Sequence, residues 1–171
     1  MGKANVTPLQ GPFGFFQVAY VTSDLDRACT ELGALYGASQ FQINRGAEIE
    51  TGSGLARADF ALAFVGEQQL EIIRPAGGAD ATYSNALPRG TYATRLHHFG
   101  RLITDAAQWE AVQASVLGSG LATPVRGAFC YEGTPLMHYL YADARQQLGH
   151  YLEFMYRTEA GRDIFAQVPR F

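Results

Sequence analysis

The chain repeats its own order of signals at one fixed offset, and that repeat constrains its fold more than any other feature. FFQVAYVTSDLDRACTELGALYG opens with a strand-like run, continues into a polar cap and a helix, and ends in glycine; LHHFGRLITDAAQWEAVQASVLG does the same. Gln17 and His98 lie 81 residues apart, as do Ser23 and Thr104, Asp24 and Asp105, and Gly37 and Gly118. Four pairs with separate physical jobs at one offset argue for duplication.

Each copy reads as β-α-β-β-β. Ser23 is placed to cap the first helix, with Asp26 three residues on. Leu25, Ala28, Cys29, Leu32 and Tyr36 form its apolar stripe, and Gly37 its stop. Trp109, Val112 and Val116 form the second stripe, with Gly118 as the stop. Trp109 and Cys29 read as core. Strands are expected near 39–45, 56–65 and 68–74, then near 121–128, 135–142 and 147–156. The expected architecture is α+β: two tandem βαβββ modules, 14–78 and 93–158, forming a curved half-barrel cleft with both helices outside. Residues 79–92 form a linker within a stretch rich in Pro and Gly, 1–13 an N-terminal extension and 159–171 a C-terminal tail.

Four polar residues stand at matched places. Gln17 and His98 lie on the first strand of each copy, and Glu71 (in QLEII) and Glu153 (in YLEFM) on the last. First-strand residue and glutamate are 54 residues apart in one copy and 55 in the other. By alternation Gln17 shares a face with Ala19 and Val21, and His98 one with Gly100 and Leu102. An unpaired buried carboxylate costs several kcal/mol, and too few positive partners lie nearby in sequence to offset both glutamates. One divalent cation held by an imidazole, two carboxylates and an amide oxygen removes the cost, and this donor set suits Zn, Ni, Co, Mn or Fe. The structural alternative is a hydrogen-bonded core histidine at His98 and an amide satisfying a strand edge at Gln17. By alternation His97 points to the opposite face, as a structural or supporting residue. His138, Tyr139, Tyr141 and Tyr151 are candidates for lining a substrate pocket, although strand aromatics are usually core.

Together, FFQVAYVTSDLD, LHHFGRLITD and GHYLEF resemble the vicinal oxygen chelate (glyoxalase-like) superfamily over about residues 14–156. The ligand set Gln17, Glu71, His98, Glu153 is similar to that of lactoylglutathione lyases, and the surrounding sequence to proteins related to methylmalonyl-CoA epimerase. Those epimerases usually carry histidine in place of Gln17 and glutamine in place of Glu71. Extradiol dioxygenases need two histidines, and only His98 stands at such a position. The resemblance implies a metal-dependent isomerase or lyase that removes a proton next to a metal-bound carbonyl or enediol, with Glu153 or Glu71 as base. It also implies a small-molecule substrate and a homodimer. The rival readings are a sequestering protein that binds without turnover and a metal-dependent oxygenase.

Composition excludes other classes. The chain is 47% hydrophobic and 17% charged with net charge −3. That is too apolar for disorder, and there is no basic patch to meet nucleic acid. No apolar run reaches membrane-span length, the first residues lack a signal core, and two isolated cysteines make no disulfide framework. A cytoplasmic protein with no membrane partner is expected.

Overall fold

A computed structural model describes residues 13–171; the expected N-terminal extension lies, apart from Phe13, outside the described residues. The first half contains β1 (Gln17–Thr22), α1 (Leu25–Tyr36), β2 (Gln42–Thr51), β3 (Gly54–Val65) and β4 (Gln68–Gly78). A short helix, α2 (Ala81–Ser84), precedes β5 (Thr94–Ile103), α3 (Ala106–Gly118), β6 (Arg126–Tyr131), β7 (Thr134–Ala142), α4 (Arg145–Leu148) and β8 (Tyr151–Arg157).

The eight strands form one curved sheet in the order β2-β3-β4-β1-β5-β8-β7-β6. Each half repeats one topology: β1 runs parallel to β4, β5 runs parallel to β8, and the other pairs within each half are antiparallel. The halves meet where β1 pairs antiparallel with β5. At the far edges a bridge joins Thr51 to Val125, and Gly52 N–H donates to the Pro124 carbonyl at 2.9 Å, so the sheet nearly closes.

The two long helices, α1 and α3, cover the convex side. Leu25, Ala28 and Leu32 of α1 pack on Ala61, Leu70 and Ile72, with Cys29 half-buried beside them. Trp109, Val112 and Val116 of α3 pack on Ile103, Leu140 and Phe154.

Local chemistry departs from the sequence reading in four places. Asp24, not Ser23, caps α1 by accepting from Arg27 N–H at 3.1 Å, because the Ser23 hydroxyl accepts from Ala93 N–H instead. Gly37 ends α1 at φ 83°, but Gly118 remains inside α3 and the left-handed residue is Gly120 at φ 79°. The strand expected to start near 121 begins at Arg126, and the one expected near 147 begins at Tyr151, because α4 occupies the intervening turn. The segment 79–92 carries α2, whose Tyr83 is fully buried against the inner core.

The C-terminal tail is built into the sheet. Its last residues pair with the end of β3, where Phe64 N–H donates to Pro169 and Phe171 N–H to Phe64. Phe165 and Val168 pack on Phe64. At Gly161 the tail crosses β7 so closely that an added Cβ would overlap the Leu136 carbonyl. Gly161→Ala is therefore expected to lower unfolding stability by about 1–3 kcal/mol in urea titrations. An unchanged midpoint would show that the tail tolerates displacement there.

Candidate metal centre

The four matched residues converge from the four central strands. Ala19 on β1 stands opposite both Glu71 and His98; Gly100 on β5 stands opposite both Gln17 and Glu153. Ala19 and Gly100 are themselves 81 residues apart. Two equivalent small residues thus open the floor on which the larger polar side chains meet. A Cβ at Gly100 would lie 2.7 Å from Gln17 Oε1.

His98 Nε2 lies 3.0 Å from Glu153 Oε2, 3.1 Å from Gln17 Oε1 and 3.3 Å from Glu71 Oε2. All four side chains are buried, His98 completely. Three oxygens therefore crowd one nitrogen, which can carry one proton. Gln17 takes the aligned hydrogen bond, and Glu153 Oε2, although close, has no hydrogen-bond partner among the described residues. Donors about 2.0–2.2 Å from a common ion lie roughly 3.0–3.5 Å apart, so these separations fit one coordination sphere. Two carboxylates, an imidazole and an amide oxygen are also a chemically coherent set for a divalent transition ion.

Electrostatics reinforce the point. Burial alone would lower the pKa of His98, but the carboxylates of Glu153 and Glu71 outweigh it and raise it to about 9. Burial pushes Glu71 up, and the Glu153 charge adds to the rise, against the opposing pull of His98.

His97 overturns the simple alternation. β1 and β5 change register at this point, Ala19 pairing with His98 and Tyr20 with Leu96, so His97 is the extra residue of a bulge. Both histidines are buried side by side. His97 stacks on Tyr83 at 5.1 Å and packs against Tyr151 at 4.9 Å. Its Nε2 lies 3.0 Å from the Thr82 carbonyl and its Nδ1 2.9 Å from His98 Nδ1. A carbonyl only accepts, so His97 Nε2 carries the proton and its Nδ1 accepts from His98 Nδ1–H. Burial first, then the His98 charge, push the His97 pKa down to about 3, which keeps it neutral. His98 is thereby fixed with Nε2 toward the oxygens.

The centre opens into a cavity of about 300 Å³ on the concave face. Tyr139 and Tyr141 line it, as do Gln17, Glu71 and Glu153. His138 does not: it points to the convex side, where it stacks with Trp109 and Tyr156. Tyr151 does not either, because it packs beneath His97 with Arg145 over its ring. Four of the lining residues that escaped the sequence reading matter most. Gln69, on β4, accepts from Gln17 Nε2 at 2.8 Å, and alternation from Glu71 could have found it. Tyr83 comes from the linker, and Ile164 and Phe165 of the tail wall one side.

No family model matches the chain, and no curated protein matches it in sequence. Solved structures do. A Streptomyces coelicolor methylmalonyl-CoA epimerase in complex with 2-nitronate-propionyl-CoA superposes with TM-score 0.53 at 14% identity, covering 84% of this chain and 96% of that one. The epimerase from Mycobacterium tuberculosis gives TM-score 0.51 at 14% identity, covering 92% of each. A methylmalonyl-CoA epimerase in complex with methylmalonyl-CoA and NH4+ gives 0.53 at 15%, covering 85% and 94%. Likeness at this identity establishes the fold. No helix among the described residues is long and apolar enough to cross a membrane.

Proposed function

We propose that this chain, which has the vicinal oxygen chelate fold, is a metal-dependent isomerase or lyase acting on a small carbonyl compound. The observation that carries the reading is the convergence of three buried oxygens on His98 Nε2 with one proton to share among them. Gln17, Glu71, His98 and Glu153 would hold one divalent ion, which supplies Lewis-acid polarisation of a carbonyl oxygen. The chain's own residues do the rest. Gln17 and His98 hold their donor atoms in place through Gln69 and His97. Glu153 takes the proton from the carbon beside the carbonyl on its carboxylate, at the oxygen not committed to the ion. Glu71, on the other module, can return a proton from a second position. The apolar walls from Phe60, Met155 and Phe165 exclude water, which strengthens each of these interactions. The same proposal includes a homodimer, and a monomeric mass across concentrations in light scattering would remove that part.

The test is direct. Chelated protein is reloaded with Mn2+, Co2+, Ni2+ or Zn2+ and its metal content measured by mass spectrometry. It is then incubated in D2O with 1-phenylpropane-1,2-dione, whose methyl protons lie beside a carbonyl. One bound ion per chain with metal-dependent deuterium exchange is the expected result. Bound ion without exchange would favour a sequestering protein, and no bound ion would remove the reading.

Metal uptake should also depend on pH in a set direction. In the metal-free protein His98 holds its extra proton up to about pH 9, and a ligating imidazole must give that proton up. Binding at pH 7 should therefore release close to one proton per ion, read by calorimetry in buffers of different ionisation enthalpy. Affinity should rise with pH and level off near 9. Stability of the metal-free form runs the other way. Both raised groups, His98 and Glu71, stabilise the fold below their unfolded pKa values, so stability should fall as pH rises from about 6.5 to 9, where His98 loses its proton. A metal-free melting temperature that rises over that interval would contradict the assignment.

A further inference from the structure

The polar pattern of the cavity specifies what it accepts. Of its charged lining residues, Glu71 and Glu153 belong to the centre and Glu48 is exposed. No arginine or lysine among the described residues lines it. With a divalent ion balancing Glu71 and Glu153, no positive charge is left over for an anionic ligand. The remaining wall is mostly apolar, including Ile49, Leu62, Met137, Ile164 and Phe165.

Among the neutral donors of this wall, one is buried without a partner. His98 Nε2 faces Gln17 Oε1 at 3.1 Å, so the Gln17 amide must present Nε2 on its other side. That Nε2 donates to Gln69 Oε1 at 2.8 Å, which fixes the orientation of the second amide in turn. Gln69 Nε2 is then left as a donor. It is completely buried, lines the cavity, and has no partner among the described residues. The orientation holds whether His98 donates to Gln17 from its own proton or shares an ion with it. A buried donor kept unpaired loses its hydration without compensation, and a ligand oxygen would restore the missing partner.

We propose that the cavity selects an uncharged carbonyl compound with an apolar body, one of whose oxygens accepts a hydrogen bond from Gln69 Nε2, and that it discriminates against organic acids. This names the substrate class for the site proposed above and rests on that cavity being the binding site. The volume, about 300 Å³, is at the small end for ligand pockets and suits a compact molecule. An acid would have to lose its hydration among apolar walls and carboxylates with no partner for its charge.

The test uses two probes that differ in one group. 1-Phenylpropane-1,2-dione is neutral; benzoylformate has a carboxylate oxygen in place of its methyl group. Each is titrated calorimetrically into the full chain, both metal-free and Mn2+-loaded, with metal content measured in parallel. The dione is expected to bind at least about tenfold more tightly than the acid to either form. Gln69→Leu should weaken dione binding about tenfold. Gln69→Glu keeps an oxygen for Gln17 Nε2 and so should retain the ion, yet it turns the donor into an acceptor and should weaken the dione at least as much. Benzoylformate binding as tightly as the dione, no dione binding by either form, or both variants binding it like the parent protein would overturn the proposal. A parent chain that takes up no ion would remove the metal reading alone, because the preference for the neutral probe is still measured on the metal-free form.

Discussion

His98→Ala is expected to lose the bound ion, with affinity reduced by more than about 100-fold in competition with a chelator. Imidazole is the single nitrogen donor of the set, and its removal leaves two buried carboxylates facing each other with only the Gln17 amide between them. The same substitution removes the cationic partner that the metal-free protein uses to hold Glu71 and Glu153. Breaking a buried ion pair by deleting one partner costs about 3–5 kcal/mol, so the metal-free variant should also melt earlier than the metal-free parent. Metal content and melting temperature together separate the outcomes. A variant that keeps its ion, and melts lower by the same amount with and without it, would show that the four residues form a structural cluster and no metal site.

Glu153→Gln is expected to slow deuterium exchange on the dione by about 10²- to 10⁴-fold while the fold survives, because the amide keeps the shape of the carboxylate and cannot take a proton. Saturating metal separates a loss of base from a loss of ligand: affinity falls in both cases, but the rate at full occupancy falls only when the base is gone. Glu71→Gln should bind metal less tightly and keep more of its rate once loaded, since Glu71 Oε2 is farther from His98 Nε2 than Glu153 Oε2 is. The reverse order would exchange the roles of the two acids. Equal, small effects at saturating metal would place the base elsewhere.

The sequence told much about where the four residues stand and little about what surrounds them. Gln17 and His98 could be matched because duplication leaves an 81-residue offset, and Glu71 and Glu153, at 82, because each sits on the last strand of its copy; neither match needs knowledge of packing. The same logic was only partly right at Gly118: α3 ends there, but Ser119 caps it in a right-handed conformation and the left-handed residue is Gly120. Alternation along β7 separates His138 from Tyr139 and Tyr141, although all three stood together as pocket candidates, and the cavity is on the tyrosine side. It failed for His97, because a bulge inserts one residue and nothing in a period-two pattern announces it. Tyr83 and the tail residues Ile164 and Phe165 were beyond reach for a different reason. They arrive at the cavity from segments without periodicity, and only the closed sheet decides which wall they complete.

The antiparallel pairing of β1 with β5 has a consequence for how the protein would come apart. Ala19 and Gly100 face each other's flanking residues across that line, so each half of the chain owns two of the four donors and neither owns a site. An ion held there would tie residue 17 to residue 153, a loop enclosing most of the chain, and so would act as a removable crosslink of the kind that restricts the unfolded ensemble. Occupancy would then report on the whole molecule: an ion could be retained only while both repeats were folded and docked, and its release would mark the moment at which the two parted.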